Sequence, residues 1–280
     1  MLQELRKNVR SVSDQENVTV QHIVIDSCST DGTDEWLRQN IALTSIVEKD
    51  NGMYEALNKG LAQASGCFLG FLNSDEQYLP GALRKVKRTF ESHPDADIVY
   101  GDMLVISSDG SLIAYKKSHN LKRVYIRATS LYVPTCTMFV RNQLVSKGLR
   151  FRTDFRAVSD TDFVVRLIEA GGRAVHLKEF ISTFESTGKN LSWSILGKNE
   201  LRELRESNPL SLKLFRWPIA FANLVEKFLS GAFVFEPPIV YSVYTSGSQN
   251  RVSFSLTDAS FSIHRKNSAI RITRFLRKFM

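Results

Sequence analysis

Asn73-Ser74-Asp75-Glu76 closes a hydrophobic run, Cys67 to Leu72. A carboxylate held at the end of a buried strand suits a hard divalent cation such as Mg²⁺ or Mn²⁺. These ions take oxygen ligands, often one or two carboxylates completed by phosphate oxygens. A solvated turn, with Asp75 capping a helix that starts near Pro80, would give the same letters. Asp26 ends the apolar stretch "HIVID" and precedes "STDGT". A carboxylate there can accept hydrogen bonds from a base or ribose, or it can serve the loop alone. Asp160 and Asp162 fall in the first turn expected of a helix. The macrodipole and the unpaired N–H groups favour acids at that place. The chemical alternative is a general base that takes the proton of an attacking alcohol. His22, His119 and His176 are isolated, and His176, in an apolar strand, reads as packing. Gly-rich phosphate loops, nucleophile elbows and zinc motifs are lacking.

These residues need a frame. Val18 to Ile25 reads as a strand and Thr33 to Gln39 as a helix after a turn-rich loop. Ile46-Val47 reads as a second strand. Met53, Leu57, Leu61 and Ala64 have helical spacing, closed by Gly66. Phe68 to Leu72 reads as a strand covered on both faces. A helix follows Pro80 on Leu83, Val86 and Phe90, and Ile98 to Tyr100 is a strand ending at Gly101-Asp102. Ahead of them, Leu2, Leu5 and Val9 suggest a short amphipathic helix. Strand–loop–helix units thus repeat about three times, the pattern of a mostly parallel, doubly wound α/β sheet with helices on both faces. Ligands of such sheets bind beyond the strand carboxyl ends, so Asp26, Asp75 and Asp102 are expected on one rim. "SSDGS" (107–111) reads as a hairpin turn. In "AVSDTDFVVRLIEAGG" (157–172), Ser159 reads as the N-cap of a helix, and Ala174 to Leu177 as a strand.

The composition supports a globular α/β protein: 43% apolar and 24% charged residues. A net charge of +8 and a pI near 9.4 suit an anionic partner. No aromatic–basic recognition motif points to nucleic acid. Cys28, Cys67 and Cys136 show neither disulfide nor metal spacing. With no secretory leader pattern and no uninterrupted apolar span, the chain reads as cytoplasmic and peripheral on the cytoplasmic face of a membrane. A soft boundary near 190 separates a domain over 1–190 from a helical, basic extension over 191–280, with helices at Trp193 to Arg205 and Leu210 to Leu229. Trp217, Phe221, Leu224 and Phe228 on the second helix, and the basic tail "IRITRFLRKFM", suit an anionic bilayer surface or, equally, core packing and a solvated tail.

Taken in order, these stretches resemble glycosyltransferase family 2, enzymes of the A-type glycosyltransferase fold. "HIVIDSCSTDGT" is similar to the family's strand-Asp-x-x-Ser-x-Asp-Gly-Thr segment. "EKDNGMYEALNKGLAQASGCFLGFLNSDE" is similar to its nucleotide loop, helix and metal motif. "DADIVYGDM" and "AVSDTDFVVRLIEAGG" match two further blocks. The resemblance covers about residues 2 to 190. It implies that Asp26 contacts the nucleotide base, that Asp50 and Lys59 lie near the nucleotide, and that Asn73 and Ser74 belong to the nucleotide-sugar site. It implies that Asp75 binds the Mg²⁺ or Mn²⁺ bridging the donor diphosphate, and that Asp160 is the general base. The implied reaction is inverting transfer from a nucleoside-diphosphate sugar to a hydroxyl of a glycan or lipid-linked acceptor.

Four departures stand out. The family's usual first strand, apolar residues then Pro-Thr-Tyr-Asn, is absent, and the chain starts at the helix that would follow it. The strand of Asp26 is therefore expected to lack a neighbour. Asn73 stands where an Asp is usual, and Ser159 where a Glu is usual. "VPTCTMF" (133–139) stands where many relatives carry a His-Gln pair. An alternative reading is a degenerate, non-catalytic homologue that binds a nucleotide sugar or a partner. A metal-dependent nucleotidyltransferase is a third, but it would need a Gly- or Arg-rich phosphate loop near the start.

Overall fold

The structure, a computed structural model, describes residues 1–186, 195–234 and 236–257. The strands are β1 (Ile23–Asp26), β2 (Thr44–Val47), β3 (Phe68–Gly70), β4 (Glu76–Tyr78), β5 (Ile98–Ile106), β6 (Leu112–Lys116), β7 (Met138–Arg141), β8 (Ala174–Glu185), β9 (Ile239–Val243) and β10 (Val252–Leu256). The helices are α1 (Leu2–Ser13), α2 (Thr33–Gln39), α3 (Met53–Gln63), α4 (Ala82–Ser92), α5 (Arg123–Ala128), α6 (Asn142–Ser146), α7 (Ser159–Glu169), α8 (Ile195–Glu206), α9 (Leu210–Leu214) and α10 (Arg216–Leu229).

The central sheet runs β3-β7-β5-β8-β4, with β6 paired to β5. Its β5–β8 pair is parallel, while β3–β7, β5–β7, β4–β8 and β5–β6 are antiparallel. The sheet is therefore mixed, where a mostly parallel one was expected. The strand–helix repeat that suggested parallel pairing stops near residue 100. After it, β6 returns through a hairpin, which only antiparallel strands permit. The "SSDGS" turn makes that hairpin, with Ser107 N donating to Ser111 O at 2.9 Å. β1 is not isolated, since it pairs in parallel with β2 from Ile23–Thr44 to Asp26–Val47. Among the described residues this pair forms a sheet of its own.

Helices cover both faces. On one, Tyr54 and Leu61 of α3, Ile126 of α5 and Phe163 and Leu167 of α7 pack on Leu69, Ile98 and Val140. On the other, Val12 of α1 and Val86 and Phe90 of α4 pack on Val99, Phe139 and Ile181. β3 is sandwiched as expected: Leu69 faces the first cluster, while Phe68 stacks on Phe90 at 4.0 Å in the second. Ile239, Tyr241 and Val243 of β9 join a third cluster with Leu104, Ile106 and Tyr115. Leu201 and Leu204 of α8 pack on Phe155, Ala157 and Val158.

β5 passes through Gly101-Asp102 without ending, so Asp102 lies mid-strand and does not join Asp26 and Asp75 at strand ends. The pairing with β8 shifts register there. A Cβ on Gly101 would come within 2.7 Å of Ile181 and 2.9 Å of Glu179 O, so glycine permits the irregularity. Asp102 is buried, accepts from Ser118 N at 2.7 Å and bonds His176 Nε2 at 2.9 Å. His176 also stacks on Tyr100 at 5.0 Å, the structural role expected of it. The basic tail beyond 257 and Trp193 lie outside the described residues.

Candidate active site

The chain leaves β3, turns through Asn73–Glu76 and enters β4, a strand hidden in the sequence by its three residues and its charged start. Glu76 N donates to Asn73 O at 3.1 Å, and Asn73 N donates to Glu76 Oε2 at 2.6 Å. Glu76 therefore sits under the turn rather than on it, and burial pushes its carboxyl up to about 7. The turn is held from α1, whose Asn8 Nδ2 donates to Asn73 O at 2.8 Å and to Glu76 O at 3.0 Å. Beside it Lys7 forms a buried ion pair with Glu185, whose N–H donates to Asp75 O at 3.0 Å.

This scaffold leaves Asn73 exposed and Ser74 and Asp75 half-buried. Burial raises the Asp75 carboxyl above the usual range, the charges of Glu185 and Glu4 add to that, and Lys7 opposes them. An acidic neighbourhood with one nearby ammonium fits a hard cation. Among the described residues no group of three or more His, Cys, Asp or Glu is placed to hold a metal. A cation here would take Asp75 as its protein ligand and fill its shell from phosphate oxygens and water, the usual arrangement for Mg²⁺.

Asp26 is buried at the carboxyl end of β1, where its Oδ2 accepts from Ser29 N at 2.8 Å. The next residue, Ser27, accepts from Asp50 N at 3.2 Å, and Asp50 Oδ1 accepts from Gly52 N at 2.9 Å. Gly52 has φ +140°, which explains a glycine at the entry to α3. Lys59 donates to Lys49 O at 3.0 Å and pairs with Glu48 at 3.0 Å. Asp26, Asp50 and Lys59 thus share one set of loops, and the Lys59 ammonium braces it. α1 ties these loops to the Asp75 turn, because Leu2 N donates to Asp31 Oδ2 at 3.0 Å while Asn8 holds the turn.

Asp160 and Asp162 have different surroundings. Asp162 forms an ion pair with Arg166 one turn along, at 2.7 Å, and is occupied there. Asp160 Oδ1 accepts from Thr161 N at 2.7 Å and from Tyr54 OH at 3.4 Å. Burial raises its carboxyl, and these donors and the charge of Lys116 offset part of the effect. A carboxylate raised in this way is a stronger base toward an attacking hydroxyl. The helix begins at Ser159, with Val158 as cap, and the Ser159 hydroxyl is buried without a hydrogen-bond partner.

Tyr54, Asn8, Lys7, Glu185 and Lys116 did not stand out in the sequence. Met53, expected to face inward, is 43% exposed, while Tyr54 is 2% exposed and carries the buried face of α3. In α1, Leu5, Asn8 and Val12 are buried along one stripe. The polar Asn8 within an apolar stripe was a signal that apolar periodicity does not register. A cavity of about 650 Å³ lies at the other end of β1, among Arg6, Val9, Val20, His22 and Trp36, away from all of these groups.

The mixed sheet with helices on both faces, an acid at the end of β1 and another in the turn between β3 and β4, is the A-type glycosyltransferase fold. This chain belongs to glycosyl transferase family 2, whose model matches residues 2–163. A PGL/p-HBAD biosynthesis glycosyltransferase of Mycobacterium bovis is 25% identical over 207 residues, 70% of this chain and 78% of that protein. The crystal structure of S. aureus TarS superposes with a TM-score of 0.55 at 14% identity, covering 89% of this chain and 57% of that longer one. Its 1–349 fragment in complex with UDP-GlcNAc gives a TM-score of 0.53 at 13% identity, over 91% of this chain and 96% of that one. The mannosyltransferase PcManGT of Pyrobaculum calidifontis, in complex with GDP-Man and Mn²⁺, gives 0.56 at 17% identity, over 82% of this chain and 73% of that one.

Proposed function

We propose that this chain transfers a sugar, with inversion, from a nucleoside-diphosphate sugar to a hydroxyl of a glycan or lipid-linked acceptor in cell-surface polysaccharide or glycolipid synthesis. The observation that carries this reading is the α1-held turn, which presents Asp75 in an acidic neighbourhood and hangs on the same helix that bonds Asp31 in the loop after β1. In this account the free oxygen of Asp26 meets the nucleotide base, Asp50 and Lys59 shape the loop over the nucleotide, and Asn73 and Ser74 border the diphosphate. Asp75 holds Mg²⁺ or Mn²⁺, which when bound offsets the charge of the departing diphosphate. Asp160 accepts the proton of the attacking hydroxyl, and Tyr54 and Thr161 keep its carboxylate aimed.

The similar proteins support the class. One is a PGL/p-HBAD biosynthesis glycosyltransferase, one was crystallised with UDP-GlcNAc and one is a mannosyltransferase in complex with GDP-Man and Mn²⁺. We place residues 1–190 as the donor-binding and catalytic domain and 191–280 as an extension, and the protein on the cytoplasmic face of a membrane. The test is release of UDP or GDP from a panel of their sugars with Mn²⁺, followed by NMR of the product. Release that needs Asp160 and a product of inverted anomeric configuration are expected. A retained configuration, or release undiminished in Asp160→Asn, would overturn the mechanism.

A further inference from the structure

α10 is mounted with its polar side inward. Asn223 Oδ1 bonds His119 Nε2 at 2.7 Å. Glu226 accepts from Asn120 at 2.8 Å, from Lys122 at 2.6 Å and from Tyr125 OH at 2.7 Å. The opposite side carries Trp217, Phe221, Val225, Phe228 and Leu229, exposed at 45, 57, 39, 69 and 77%, and Leu214 at the end of α9, 70% exposed, continues it. Their spacing of three or four places them on one stripe. A surface helix ordinarily turns such a stripe to the core; here the stripe points to solvent.

Cations border the head of this stripe. A groove between α8 and the start of α10 is lined by Lys198, Arg202, Arg205, Lys213 and Arg216, with Glu206 as its acid. Arg205 and Arg216 donate to the backbone carbonyls of Thr129 and Ala128 and form no ion pair among the described residues. Burial, with the charge of Arg216, lowers Arg205 to about 10, which marks positive charge short of a counter-ion.

We propose that the outward stripe of α10 and the adjoining cationic groove form a docking surface for an anionic lipid bilayer. The stripe enters the boundary between headgroups and acyl chains, and the groove meets lipid phosphates. The helix lies on the bilayer, since none of the described helices is long and apolar enough to cross one. A second copy is the poorer occupant. It carries the same net charge of +8 and offers the cationic groove like charge in place of phosphates. The inference concerns this surface and stands apart from the transfer chemistry.

The test is co-sedimentation of the full chain with vesicles of phosphatidylcholine alone or with one quarter phosphatidylglycerol, at low and high salt. Binding to the anionic vesicles, weakened by salt, is expected. Phe221→Ser with Phe228→Ser lowers that affinity about 100-fold, because two large apolar groups leave the contact. Arg202→Gln with Lys213→Gln lowers it about twentyfold and weakens the salt dependence. Circular dichroism confirms folding of both variants, whose changed side chains are exposed. Failure of the wild-type chain to sediment, or unchanged binding in both variants, would overturn the proposal. So would a dimer, seen by light scattering, that the two Phe substitutions dissociate.

Discussion

Two acids two residues apart compete for one role, and their partners separate them. Asp162 is neutralised by Arg166, whereas among the described residues Asp160 accepts from neutral donors, Thr161 N, Thr161 Oγ1 and Tyr54 OH. Asp160→Asn should therefore lower kcat by about 10²–10⁴-fold and leave nucleotide affinity near wild type. Turnover assays and binding isotherms on the same preparation read both. Tyr54→Phe removes a donor that favours the ionised carboxylate. The Asp160 carboxyl then rises further above its ordinary value. The ascending limb of kcat/KM against pH should move to higher pH, and an unmoved limb would take Asp160 out of the base role. The spacing of Asp162 and Arg166 was readable in the sequence, but not which acid the site would leave unpaired. Tyr54 was hidden because helical spacing starting at Met53 fits the apolar residues nearly as well.

At the scale of elements, the Asp75 turn is shaped by what holds it from a distance. Asn8, 65 residues away from Asn73, supplies two hydrogen bonds to the turn. Asn8→Ala leaves two carbonyls short of a donor, one of them buried. It should cost about 1–3 kcal/mol of stability and weaken nucleotide binding; denaturant melts and calorimetry measure the two effects. The strands of Asp26 and Asp75, α3, α4, α7 and the hairpin turn were legible because period-two and period-3.6 patterns, glycine stops and Asp-Gly turns are local signals. β4 was not. Three residues carry no periodicity, and Glu76 in a buried strand is met by a hydrogen bond from Asn73 N–H. Nor was the passage of β5 through Gly101-Asp102, where a glycine that reads as a stop accommodates a long-range approach of β8.

For the molecule as a whole, the mixed sheet is the lesson in range. Which strands pair, and in which direction, depends on contacts between residues about 40 to 110 apart, as in β5–β7 and β4–β8. The same holds for the outward stripe of α10, whose sequence suits a core as well as a surface. Acid stability is also a property of the whole. Burial lowers His22 to about 4 and His119 below its ordinary value. Both histidines are neutral in the fold and charge more readily when unfolded. Their contribution is present above pH 6.5 and is lost on acidification, for His22 as pH falls toward 4. For His22 the loss amounts to as much as about 3 kcal/mol. His22→Asn should flatten the fall of denaturant-measured stability between those pH values.

The account rests on the Asp75 turn being a diphosphate site. Calorimetric titration with UDP and with GDP, with and without Mn²⁺, on wild type and Asp75→Ala tests it most directly. The account predicts binding of one of the two nucleotides that strengthens with Mn²⁺ and loses that dependence in Asp75→Ala while the variant stays folded. Metal-dependent binding that survives the substitution would contradict it. A folded wild-type chain that binds neither nucleotide would point instead to a non-catalytic homologue.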